Sequence, residues 1–255
     1  MEPKLWLPFL QEIADRADAI ALKFFRAGDL RVEQKSDLSP VTLADHGIEE
    51  LARELVRGRH PDLGICGEEQ GESGNDSTRL IIDPIDGTKN FVRGIPIFAT
   101  LLAIEKEGEV IAGFVSAPAM KLRWHAARGS GAYCGVRRLQ VSNIASLRGA
   151  QLFHANLSLA TAEYLPPGLI PLLSQVERTR GFGDFYQHLL VAEGCGEIAI
   201  DPTLKPWDIA ALQVIVEEAG GRATGLNGEH SIYAGSLLSS NGLLHETALT
   251  KLNSR

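Results

Sequence analysis

The stretch IIDPIDGTKNF, Ile81 to Phe91, sets two aspartates three residues apart at the end of an apolar run and follows them with a glycine and a hydroxyl. A buried, unpaired carboxylate costs on the order of several kcal/mol, and two side by side cost more until a cation neutralises them. Pro84 has no N–H and cannot extend a central ladder, so the strand is expected to end after Asp83 and turn, freeing the carbonyl near Ile85. Gly87 permits close backbone approach, and if Thr88 opens a short helix its N–H groups face an anion such as phosphate. Acids for a cation thus sit beside donors for an anion, as a metal bridging a protein and a phosphate ester requires.

Two other acidic spots fit the same need. Glu68 and Glu69 follow the apolar LGIC, and Asp208 follows Trp207 at the start of a strongly apolar helix. Alone, Asp208 reads as a first-turn acid that complements the helix dipole, and the glutamates read as a solvated pair. With DPIDGT in the same chain, all three read as candidates for the cation. Oxygen donors without paired histidines or cysteines favour a hard cation, Mg2+ first, with Mn2+ as a substitute. The histidines lack zinc-site spacing, and neither a phosphate-binding G-x-x-x-x-G-K-[ST] loop nor a G-x-S-x-G elbow occurs. An attacking water also needs a proton acceptor and an orienting hydroxyl. Thr88 offers the hydroxyl; Asp45, in TLAD, is a candidate acceptor or else a plain helix N-cap.

The chain has 255 residues, a net charge of −7 and 44% hydrophobic residues, enough for one large domain or two ordinary ones. That charge speaks against nucleic-acid or membrane-surface binding and for a small-molecule partner. Three scattered cysteines indicate no disulfide framework, and no signal-length or membrane-length apolar run occurs, so a cytoplasmic protein is expected.

Apolar spacing of 3 and 4 predicts helices over residues 5–26 and from about Asp45 to Arg59, with the polar loop QKSDLSPVTLAD between them. LGICG, LIID, FATLLAIEK and EVIAGFVSAP read as strands, the last two joined at Glu107-Gly108, and RWHAARGSGAYCG and RRLQVS continue the sheet. Beyond Ser146 strands and helices alternate: strand QLFHANL, a helix near 167–177, helix DFYQHLLVAEG, strand EIAID and helix WDIAALQVIVEEAGG. The expected organisation is an α+β half over residues 1–145 and an α/β half over 146–255, without a visible hinge.

GEE at 67–69, DPIDGTKNF at 83–91 and WDIAA at 207–211 resemble, in order and separation, the three signature segments of the inositol monophosphatase family of Mg2+-dependent, Li+-sensitive phosphatases. ARGSGAYCGVRRLQVS, residues 127–142, is similar to that family's strand–turn–strand segment, with Cys134-Gly135 where Asn-Gly is usual. The resemblance implies a five-layered αβαβα sandwich, usually a homodimer. It implies one Mg2+ on Glu68, Asp83 and the Ile85 carbonyl, a second on Asp83, Asp86 and Asp208, and a weaker third near Glu68. Thr88 with Asp45 would orient the water, the Gly87 and Thr88 N–H groups would receive phosphate, Glu69 would support, and Lys35 would lie on a loop closing over the metals.

For the substrate, RGFGDFYQHLLVAEG, residues 180–194, resembles the histidinol-phosphate phosphatases of that superfamily. Asp201, seven residues before Asp208, sits where the family places an acidic substrate reader, and Asp184 adds a second acid or else caps its helix. Two acids suit the ammonium of an amino-alcohol phosphate better than a neutral polyol. The expected substrate is L-histidinol phosphate. The alternatives are a broad inositol-1-monophosphatase, a 3′(2′),5′-bisphosphate nucleotidase, for which a second basic site is lacking, and a regulatory binding protein with a secondary metal site.

Overall fold

The computed structural model describes residues 2–27, 32–34, 40–157 and 165–254. A 3-10 turn, Pro3–Trp6, leads into α1 (Leu7–Phe24), which buries Leu10, Ile13, Ala14, Ala17 and Ala21 along one stripe. Strands β1 (Val32–Gln34) and β2 (Pro40–Thr42) pair antiparallel and lead into α2 (Leu43–Arg59), packed on α1. Thr42 is the cap of α2, its hydroxyl accepting from the Ala44 N–H at 3.1 Å. Asp45 is therefore not the N-cap but the third helical residue, reaching back to the Thr42 N–H at 2.8 Å.

The first sheet holds β3 (Gly64–Gly67), β4 (Gly71–Ser73), β5 (Thr78–Asp86), β6 (Ala99–Lys106), β7 (Glu109–Ala117), β8 (Leu122–Ala127), β9 (Gly131–Cys134) and β10 (Arg137–Arg138), with α3 (Thr88–Val92) after β5. Its order is β10-β9-β8-β7-β6-β5-β3-β4, antiparallel except where β3 runs parallel to β5. Both faces are buried: Leu80, Ile82, Leu102 and Ile104 meet α1 and α2, while Ile81, Leu101 and Ala103 point the other way. Glu107 and Gly108 turn the β6–β7 hairpin with φ of 53° and 84°.

Two expectations need correction here. β5 does not stop at Asp83; Asp83 pairs with Leu101 and Asp86 with Ala99, so one extra residue bulges between them. Pro84 sits in the bulge, where a missing N–H breaks no ladder bond, and its carbonyl accepts from the Thr100 hydroxyl at 2.8 Å. The β9–β10 turn is Gly135-Val136, not Cys134-Gly135, because Cys134 pairs with Arg137.

The second half contains β11 (Gln151–His154), α4 (Leu169–Leu173), β12 (Arg178–Arg180), α5 (Asp184–Ala192), β13 (Ile198–Asp201), α6 (Pro206–Glu218), β14 (Arg222–Thr224), β15 (Leu237–Ser240) and α7 (His245–Leu252). Its sheet runs β12-β11-β13-β15-β14, with β11 parallel to both neighbours. α6 is buried without a break from Ile209 to Val216, as a helix enclosed on all sides must be. Together α5 and α6 separate the sheets, and α4 and α7 cover the outer face of the second. The result is the expected five layers, αβαβα.

Candidate active site

The parallel pairing of β3 and β5 aligns Gly67 with Ile82, so Glu68, just past the end of β3, comes beside Asp83 within β5. The Glu68 N–H donates to the Ile82 carbonyl at 3.3 Å. The bulge brings Asp86 back beside Asp83, and the N-terminus of α6 contributes Asp208. One oxygen from each of Asp83, Asp86 and Asp208 lies within 4.8 Å of the others. Two of the three are held from their own sides: the Lys205 N–H donates to Asp208 Oδ2 at 2.7 Å, and the Phe185 N–H, opening α5, donates to Asp86 Oδ2 at 2.6 Å. Asp83 Oδ1 is buried with no hydrogen-bond partner among the described residues.

Among the described residues the cluster is electrostatically uncompensated, and no ion pair involves Asp83, Asp86, Asp201 or Asp208. Burial raises the Asp83 carboxyl well above its usual range, and the charges of Glu68, Asp86 and Asp208 add to it. Asp86 is raised in the same way by burial and then by Asp184 and Asp208. Burial pushes Asp208 up to about 7 and Asp201 to about 8. Carboxylates packed this way hold protons or a cation. An all-oxygen donor set with an orphaned buried oxygen fits a hard divalent cation.

Thr88 and Asp45 are engaged separately. The Thr88 hydroxyl donates to the Ile85 carbonyl at 2.8 Å, which leaves that carbonyl a second lone pair for another partner. Asp45 is 1% exposed; its Oδ2 takes the Thr42 hydroxyl at 2.6 Å, while its Oδ1 is buried and unpartnered among the described residues. Burial raises its carboxyl to about 6, with the nearby Glu68 charge adding to the rise. Gly87, at φ 80°, caps α3, and a Cβ there would meet the Ile97 carbonyl at 3.0 Å and Asp184 Oδ2 at 3.3 Å. Glu69 gives its N–H to Glu49 Oε2 at 2.7 Å. Lys35 lies outside the described residues.

Asp184 is not the cap of α5; Gly183 is, and Asp184 is the first helical residue at φ 51°, its Oδ2 accepting from Asn90 Nδ2 at 3.0 Å. Burial raises its carboxyl to about 6, opposed by Lys89. It lines a cleft of about 430 Å³ with Lys89, Asn90, His154, Asn156 and Phe182. Asp201, at the end of β13, carries a charge felt by Asp86, and that of Asp184 is felt by both Asp86 and Asp201. Sequence reasoning missed Asn90, although it stands in the quoted stretch, and Glu49, whose only signal is an arginine four residues on.

Acids that need a cation, next to backbone donors that suit a phosphate, fit phosphoric monoester hydrolysis, and similarity to known proteins assigns the chain to that class of enzyme. The chain belongs to the inositol monophosphatase family, which it matches over residues 3–255. It is 46% identical to the histidinol-phosphatase of Mycobacterium tuberculosis, over 94% of this chain and 95% of that protein. Identity to the histidinol-phosphatase of Streptomyces coelicolor is 42%, over 95% of each. Among solved structures, the extragenic suppressor protein suhB from Bartonella henselae superposes with a TM-score of 0.90 at 28% identity, covering 97% of this chain and 98% of that one.

Proposed function

We propose that this enzyme hydrolyses L-histidinol phosphate to L-histidinol and phosphate, using Mg2+ for which Mn2+ can substitute. The observation that carries the reading is a pair of acids beside the Asp83–Asp86–Asp208 cluster: Asp201, which is buried, and Asp184, which is half-buried and lines an open cleft. Asp201 carries no ion pair among the described residues, and a substrate ammonium would supply the cation it lacks. The two histidinol-phosphatase relatives support the same substrate.

In this reading Glu68, Asp83, Asp86, Asp208 and the Ile85 carbonyl hold two to three ions. Bound there, Mg2+ would neutralise the phosphate and lower the pKa of a water. Asp45, through its unpartnered Oδ1, would accept the proton of the attacking water, and the Thr88 hydroxyl would orient that water. The N–H groups of Gly87 and Thr88 would receive phosphate oxygens, with Glu69 shaping the turn beside Glu68. Residues 1–145 thus carry most of the metal motifs, and residues 146–255 carry Asp208 and most of the specificity, in a cytoplasmic homodimer serving histidine synthesis.

The test is phosphate release with Mg2+ from L-histidinol phosphate, inositol-1-phosphate and adenosine 3′,5′-bisphosphate at matched concentrations. A kcat/KM at least about tenfold higher for histidinol phosphate, about 1.4 kcal/mol of discrimination, supports the reading. A flat profile or an inositol preference contradicts it.

A further inference from the structure

Glu49 lies on α2, 0% exposed, and takes no part in the chemistry described above. Its carboxylate accepts four hydrogen bonds. Arg53 Nε and Nη2 reach Oε1 at 3.0 and 2.7 Å, the Gln70 N–H reaches Oε1 at 2.9 Å, and the Glu69 N–H reaches Oε2 at 2.7 Å. The last two belong to the turn that immediately follows Glu68. Arg53 extends the clamp, donating to the Gly71 carbonyl at 2.6 Å and the Ser73 hydroxyl at 2.9 Å. On the other side of Glu68, a Cβ at Gly67 would stand 2.3 Å from Glu49 Oε1, so glycine there is what admits the carboxylate. Glu49 therefore touches the backbone both before and after Glu68.

We propose that Glu49 is a positioning residue for the metal site: its carboxylate fixes the 67–70 turn and so sets where Glu68 stands beside Asp83. The proposal rests on the reading of Glu68 as a metal ligand. A partner that orients a ligand typically contributes about 10- to 100-fold in metal affinity. Glu49→Gln tests it sharply, because a carboxamide accepts on one side only and turns an NH2 group against either the Glu69 N–H or the Gln70 N–H and Arg53. A purely structural carboxylate gives the control. Glu197, 2% exposed, accepts the Gln151 N–H and the Ser142 hydroxyl in the second half.

The experiment measures Mg2+ binding by calorimetry, backbone hydrogen exchange at Glu69 and Gln70, and Tm, in the full chain. Glu49→Gln is expected to weaken Mg2+ binding about 10- to 100-fold and to speed exchange at both amides, whereas Glu197→Gln lowers Tm and leaves Mg2+ affinity unchanged. Where the Arg53 charge left behind unfolds the single variant, the double variant E49Q/R53M removes it and is expected to show the same loss of affinity. If Glu68→Gln weakens Mg2+ binding and the Glu49 variants lose only Tm, Glu49 is structural and the proposal is overturned. Unchanged Mg2+ affinity in Glu68→Gln would overturn the ligand reading, and the proposal with it.

Discussion

Two groups of buried acids in this molecule are equally deep and differently supplied. Glu49 and Glu105, at 0% and 3% exposed, each meet an arginine: Arg53 at 2.7 Å and Arg79 at 2.5 Å. Glu105 also takes the Tyr233 hydroxyl at 2.8 Å, tying the first sheet to the loop before β15. Asp83 is just as deep at 2% exposed, yet an oxygen of its carboxylate has no hydrogen-bond partner among the described residues and its neighbours are other acids. Burial does not tell a structural acid from a functional one; the origin of the compensating cation does. Where the described residues supply it the acid is a brace, and where they supply none the acid is a candidate to hold a cation from solvent.

The sharpest way to break that comparison is Asp83→Asn. Loss of a shared cation ligand removes several kcal/mol of transition-state stabilisation, roughly 10³-fold in kcat/KM. The same change is expected to stabilise the metal-free protein at high pH, where an amide, unlike the carboxyl, needs no proton to stay neutral among the buried acids. Substantial Mg2+-dependent turnover in this variant would sink the assignment.

Next in size is a pH effect. In the metal-free protein, Asp184, Asp208 and Asp201 hold protons up to about 6, 7 and 8, while unfolded aspartates release theirs near the ordinary value of 3.8. Above pH 4 the folded state therefore binds more protons than the unfolded one, and stability falls as pH rises toward 8. Mg2+ is expected to cancel this slope, so the Tm difference between Mg2+ and EDTA should widen from pH 5 to 8. The buried His188 and His245, depressed to about 3 and 4, work in the opposite sense. They stay neutral while unfolded histidines protonate, so stability falls as pH drops below about 6.5, and this limb is expected with and without Mg2+.

Glu105→Gln should behave oppositely to Asp83→Asn: it leaves Arg79 only its longer ionic contact to the exposed Glu72 at 3.4 Å and lowers stability, by about 3 kcal/mol at most, read from urea unfolding, whatever the metal. The smallest effect is expected from Asp201→Ala, about a tenfold loss of kcat/KM on histidinol phosphate with less change on inositol-1-phosphate. Equal losses on both substrates would remove the ammonium argument.

The acidic cluster was legible in the sequence because its composition defies its setting: acids, proline and glycine where a strand enters the core. α6 was legible for the converse reason, being apolar on every side. The rest lacked such contrast. β12, β14 and β15 read RTR, RAT and LLSS, too short and too polar to show alternation, and they are strands because neighbours pair with them. The bulge at Pro84 was hidden because a proline that ends a strand and one that sits in a bulge look alike in sequence. Glu49 and Arg53 look like a solvated helical pair, and only the packing of the 67–73 segment over α2 puts them inside. Asp184 precedes a helix pattern as a cap would, yet Gly183 takes that place.

The central claim is that the Asp83–Asp86–Asp208 cluster waits for a cation and holds protons until one arrives. Calorimetric titration with Mg2+ at pH 7, in two buffers of different ionisation enthalpy, tests it most directly. The expected result is binding with net proton release, lost in Asp83→Asn. Binding that releases no protons, or survives unchanged in Asp83→Asn, contradicts it.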